Sequence, residues 1–165
     1  MKKYISFFLD SNGREVKKVR EKTSNFLKLH GLSDKIVRGQ IMIIKELLKT
    51  CRKYSGFNSP QVKMKVQIHI NSNKITVVVS NQINDNQNKQ IQELDKTIQF
   101  IRGYQDPFEA FLKLKATSNN GSDGLVLAKL SYEGKATLDF FVSEDNVMSM
   151  SAVRMIDCQP GNENL

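Results

Sequence analysis

From Val62 to Asn71 the apolar residues Val62, Met64, Val66, Ile68 and Ile70 alternate with polar Lys63, Lys65, Gln67 and His69. A period of two is that of a half-buried strand, one side of which packs on a core while the other meets water. The turn residues Asn71-Ser72-Asn73 lead straight into Lys74–Ser80, where Val77-Val78-Val79 favours extended backbone, so the two runs are expected to pair as an antiparallel hairpin. A second hairpin is expected at the end of the chain, where Ala136–Val142 and Val147–Met155 read as strands joined by Ser143-Glu144-Asp145-Asn146. Lys3–Leu9 reads as a first strand, closed by the turn Asp10-Ser11-Asn12-Gly13.

Between the strands the apolar spacing becomes helical. Val16, Val19, Phe26 and Leu27 recur over Arg14 to about His30, and Gly31 suits a C-terminal cap. Ser33-Asp34 starts the strongest helix, Lys35–Tyr54, in which Val37, Ile41, Ile44, Leu48 and Cys51 form one stripe widened by Ile36, Ile43 and Leu47. A loop with Asn58-Ser59-Pro60 follows it. Asn81–Gln90 is polar and amide-rich, a loop or frayed helix start. Ile91, Leu94, Ile98 and Ile101 mark a helix from about Lys89 to Gly103, and Pro107 begins another with Phe108, Phe111 and Leu114. Thr117–Gly124 is an exposed loop before a short helix, Leu125–Tyr132. This order predicts an α/β (α+β) two-layer sandwich: a mainly antiparallel, mixed sheet covered on one face by helices.

The chain has 165 residues, 39% of them hydrophobic, which suffices for one core. One domain over residues 1–157 and a flexible tail over 158–165 are expected. The longest apolar patch, Ile41–Ile44, is cut by Lys45 and Glu46, so no membrane span is expected. The basic, apolar start resembles a weak signal peptide, but Asp10 stops it and no small-residue cleavage site follows. Cys51 and Cys158 give neither a disulfide framework nor a metal cluster, which suits a reducing cytoplasm.

Charge divides the chain unevenly. Residues 1–65 hold 16 Lys or Arg against 5 Asp or Glu, whereas residues 66–165 hold 9 against 12. One pole is therefore basic and could attract nucleic acid, an acidic protein or nucleotide phosphates. The basic residues are spread along two amphipathic helices, with no arginine-rich block, aromatic stacking motif or zinc ligands, and this argues against nucleic acid.

Three features could carry chemistry. Glu46 interrupts the apolar stretch of the best helix, with Thr50 and Lys53 on its side at helical spacing. A partly desolvated carboxylate there could take a proton from a water or hydroxyl, and Thr50 could offer an oxygen to a metal or nucleotide. The alternative is that Lys45, Glu46, Lys49 and Lys53 form a solvent face. The loop Asn119–Gly124, small residues before a helix, could bring backbone N–H groups to phosphates, or it could be an ordinary connection. His30 and His69 have no companions at ligand spacing and read as a helix-end residue and an exposed strand residue; no catalytic triad is present.

Taken in order, Glu46-Leu47-Leu48 on a long helix, a hairpin, intervening helices, Gly121 to Gly124 before Leu125-Val126-Leu127-Ala128 and a closing hairpin resemble the histidine-kinase-like ATPase superfamily. Within it, Glu46-Leu47-Leu48 with Tyr54, and Gly124 to Gly134, look most like the small SiaB-like protein kinases and the anti-sigma-factor serine kinases. The resemblance spans about residues 3–156 and implies the Bergerat fold of that superfamily. It implies Glu46 as general base, Thr50 at the magnesium position, and Thr50, Lys53, Asn120, Gly121, Ser122, Gly124 and Leu125 as residues around bound ATP. Thr50 stands where the superfamily keeps an asparagine, and Asn81-Gln82-Ile83-Asn84-Asp85-Asn86 replaces its adenine-binding Asp-x-Gly-x-Gly box.

The function implied is an ATP- and magnesium-dependent serine/threonine kinase, or a kinase-derived regulator, in bacterial partner switching. Its partner would be a small SiaC-like or anti-anti-sigma-like phosphoprotein, with a homodimer left open. Two alternatives remain: a catalytically inactive protein-binding module on the same fold and, more distantly, a basic nucleic-acid binder.

Overall fold

The computed structural model describes residues 3–10, 15–54, 63–117 and 123–156. The expected turn at Ser11-Asn12-Gly13, the loop at Asn58-Ser59-Pro60, Asn120, Gly121, Ser122 and the tail from Cys158 lie outside the described residues. In chain order the elements are β1 (Lys3–Asp10), α1 (Val16–Leu29), α2 (Asp34–Tyr54), β2 (Lys63–Asn71), β3 (Lys74–Gln82), a 3-10 turn (Asp85–Gln87), α3 (Asn88–Arg102), α4 (Pro107–Thr117), α5 (Asp123–Glu133), β4 (Ala136–Val142) and β5 (Val147–Met155).

The strands form one open sheet in the order β1-β2-β3-β5-β4. Every described pairing is antiparallel, so the expectation of a mixed sheet is corrected. The arrangement follows from the connections: β2 and β3 are joined by a tight turn, and β4 enters at an edge so that β5 can turn back beside β3. Register carries the alternation across the sheet. Phe7 pairs with Val66, Val66 with Val79, Val79 with Met150 and Met150 with Phe140, giving one apolar row on the inner face. Ile5, Ile68, Val77, Ala152 and Leu138 form the next. On the outer face, Tyr4, Phe8, His69, Thr137 and Phe141 are exposed.

Helices cover the inner face. Val37, Ile43, Ile44, Leu47, Leu48 and Cys51 of α2 are buried there, as are Ile91, Leu94, Ile98 and Ile101 of α3. The end of α1 shows why its sequence stops the helix. Gly31 takes φ +76°, its N–H donates to Lys28 O at 2.9 Å and the N–H of Leu32 donates to Leu27 O at 3.2 Å. This paired cap needs a left-handed residue, which glycine adopts without strain. The β4–β5 turn places Asn146 at φ 58°, a conformation asparagine tolerates better than most side chains.

Removing Leu47 tests the packing. Leu47 is fully buried, so Leu47→Ala should cost about 3 kcal/mol through lost burial and a residual cavity. Lys45→Ala, one turn of the same helix but exposed, should stay within about 0.5 kcal/mol. Urea unfolding midpoints read both; equal effects would contradict the assignment of α2's faces.

Candidate functional site

Positions three and four apart lie on one face of a helix, so Glu46, Lys49, Thr50 and Lys53 are neighbours on α2. That face looks toward the start of α5. Together with Arg52, Asp123 and Val126 they line an open cleft of about 430 Å³. A larger groove of about 470 Å³ runs between α1 and α2, but neither Glu46 nor Thr50 borders it. Chemistry, not size, selects the α2–α5 cleft as the candidate site.

Asp123 ties the two sides together. Lys53 Nζ donates to its Oδ2 at 2.6 Å, and the Tyr54 hydroxyl donates to the same oxygen at 3.3 Å. Much of the Lys53 side chain meets water, so solvent screens the ion pair and its net contribution to stability is small. Tyr54 differs. Its ring is buried, and burial first, then the Asp123 charge and hydrogen bond, push its phenol up to about 12. A neutral hydroxyl that donates to a carboxylate is the stable state there.

The cleft is rich in positive charge: Lys49, Arg52 and Lys53 stand against Glu46 and Asp123. Thr50 borders it although the residue is only 5% exposed, so its contact with the outside is through the cleft. Glu46 is half-buried, whereas Lys45, Lys49 and Lys53 are exposed, as the solvent-face alternative expects of the lysines.

The glycine-loop residues divide differently. Asn120, Gly121 and Ser122 lie outside the described residues. Gly124 is inside α5, and a Cβ there would come within 3.1 Å of Thr97 Cγ2 and near Leu114, so its bare face packs on α3 and α4. Leu125 is half-buried, and the α5 side chains at the cleft are those of Asp123 and Val126.

Sequence reasoning passed over two residues. Asp123 opens α5 instead of closing the expected loop Thr117–Gly124, and its partners lie about 70 residues away on α2, beyond any local pattern. Asn81, expected to open the loop or frayed helix start Asn81–Gln90, instead belongs to β3. It is 2% exposed, its Nδ2 donates to Cys51 O and Gln82 O at 3.2 Å each, and its Oδ1 is buried with no partner among the described residues. The signal was available: Ile75, Val77 and Val79 point inward, so position 81 does too. A buried acceptor without a partner costs roughly 1 to 3 kcal/mol.

The remaining candidates are structural. His30 places Nδ1 2.7 Å from Phe26 O at the end of α1, and exposed His69 stacks beside Tyr4. Burial pushes the Cys51 thiol far up, so it is a core residue and not a nucleophile. Among the described residues no three His, Cys, Asp or Glu side chains group as a metal site, and no helix is long and apolar enough to cross a membrane.

Fold and cleft thus define an α+β two-layer sandwich with a cation-rich cleft between its long helix and the helix before the closing hairpin. No protein-family model matches the chain, and no curated protein matches its sequence. Among solved structures, the SiaB–SiaC complex from Pseudomonas aeruginosa contains a chain of the same fold. The TM-score is 0.68 at 17% identity, over 90% of this chain and 88% of that one.

Ultraviolet titration tests the Asp123 hub. Tyr54 should be the last tyrosine to ionise, near pH 12, and Tyr54→Phe should remove that step. Because the folded value lies above the unfolded value of about 10, the stabilising contribution is complete below pH 10 and lost as pH rises toward 12. Asp123→Asn should move the step down; an unchanged step would contradict the contact.

Proposed function

We propose that this protein is an ATP-binding serine/threonine protein kinase of the SiaB-like type, or a regulator derived from one, acting on a small regulatory protein in a bacterial partner-switching pathway. The observation that carries the reading is the gathering of Glu46, Thr50 and Lys53 in one cleft opposite the start of α5. The fold shared with a chain of a two-protein complex supports a small protein, SiaC-like in kind, as partner.

The donor set fits an anionic nucleotide. Lys49, Arg52 and Lys53 supply positive charge, and Lys53 exchanges its Asp123 partner for a phosphate at little cost because the pair is solvent-screened. Thr50 would offer one oxygen to magnesium, a hard cation that commonly fills the rest of its shell with waters and phosphate oxygens, which leaves Glu46 free as a base. Bound ATP supplies the phosphoryl group to be transferred. Glu46 takes the proton of the partner's serine or threonine hydroxyl, a role suited to a half-buried carboxylate at a cleft mouth.

Calorimetric titration with Mg-ATP separates the possibilities. Binding should be magnesium-dependent and should tighten in Thr50→Asn, which adds a carbonyl oxygen. Glu46→Ala should keep binding but lower phosphate transfer to a co-encoded partner protein by about 100-fold or more. Partner binding with no nucleotide binding in either form would replace the kinase by a binding-only module.

A further inference from the structure

The α1–α2 surface takes no part in the cleft chemistry, yet it is the more extensive concavity. A groove of about 470 Å³ opens between the two helices, and a second of about 330 Å³ adjoins it, with Lys17, Arg20 and Ile41 bordering both. Its floor is apolar, with Ile41 half-buried and Ile44 beneath it. Its rim is basic. Lys17, Arg20, Arg38 and Lys45 are exposed and form no ion pair among the described residues, whereas acidic Glu21 and Asp34 are fewer and Asp34 already pairs with Lys28 at 3.1 Å.

These features define an occupant. An apolar floor between two helices matches the stripe of a third helix, and uncompensated cations on the rim match carboxylates flanking that stripe. A nucleic-acid backbone would satisfy the rim but leave the floor unfilled. Thr23, which also borders the groove, is fully buried, so the polar groups an occupant meets are those of the exposed rim. We propose that the α1–α2 groove docks an amphipathic helix with acidic flanks, carried by the partner protein. The inference names the docking segment of the partner in the reading above. Lys45 borders the groove and Glu46 the cleft, so the two surfaces are about 100° apart on α2 and a docked partner lies beside the chemistry.

The probe is a fluorescein-labelled 18-residue helical peptide with a leucine stripe flanked by glutamates, followed by anisotropy without nucleotide. It should bind, weaken with rising salt, and lose at least 10-fold in affinity with the double substitution R20E/R38E. A peptide with lysine flanks should also bind at least 10-fold more weakly. Ile41→Gln, a half-buried position, should weaken binding without charge change, and circular dichroism confirms that each variant folds. Equal binding of both peptides, or indifference to R20E/R38E, would overturn the proposal. So would stronger binding of a 20-base-pair DNA duplex, or a dimer by light scattering that R20E/R38E dissociates, which would assign the groove to nucleic acid or to a second copy. Because nucleotide is absent throughout, a failure here leaves the calorimetric test of the kinase intact, and the converse holds.

Discussion

Five antiparallel strands with one apolar face cannot remain uncovered in water, and the need to bury that face places every other element. Val66, Ile68, Val77, Val79 and Met150 are fully withdrawn from solvent, and each such side chain contributes on the order of 2 kcal/mol. α2 does much of the covering. At 21 residues it is about 32 Å long, enough to cross the sheet, and its buried positions Val37, Ile43, Ile44, Leu47, Leu48 and Cys51 leave little choice of rotation. Once that rotation is set, Glu46 and Thr50 must look toward α5, and Ile41 and Lys45 toward α1. The candidate chemistry is thus a by-product of core packing on a single helix.

Much of this was legible because the elements that matter obey simple periods. Both strands of the closing hairpin begin and end where their patterning placed them, and the β2–β3 pair follows the alternation of Met64, Val66, Ile68 and Ile70. α2 declared itself through its stripe, and Glu46 through interrupting it. What stayed hidden required partners distant in sequence. Asp123 gained its meaning from Lys53 and Tyr54, and the insertion of β5 between β3 and β4 is a fact of pairing, not of local pattern. Thr23 and Gln40 are polar residues in helices that packing nonetheless buries, against their usual preference for the surface.

Differences from the expected superfamily pattern acquire a physical form as well. Thr50 is shorter than asparagine, nearly buried, and borders the cleft. The absent glycines after β3 are accompanied by Asn81, whose amide is fixed by two backbone carbonyls. Lys53 and Tyr54 both hold Asp123, so the start of α5 is anchored to α2.

Hydrogen exchange read by mass spectrometry, with and without a non-hydrolysable ATP analogue and magnesium, tests the central claim most directly. If the α2–α5 cleft is the nucleotide site, protection should rise over residues 46–54 and at the start of α5, while α1 is unchanged. Protection confined to α1 and the first half of α2, or no change anywhere at saturating analogue, would contradict it.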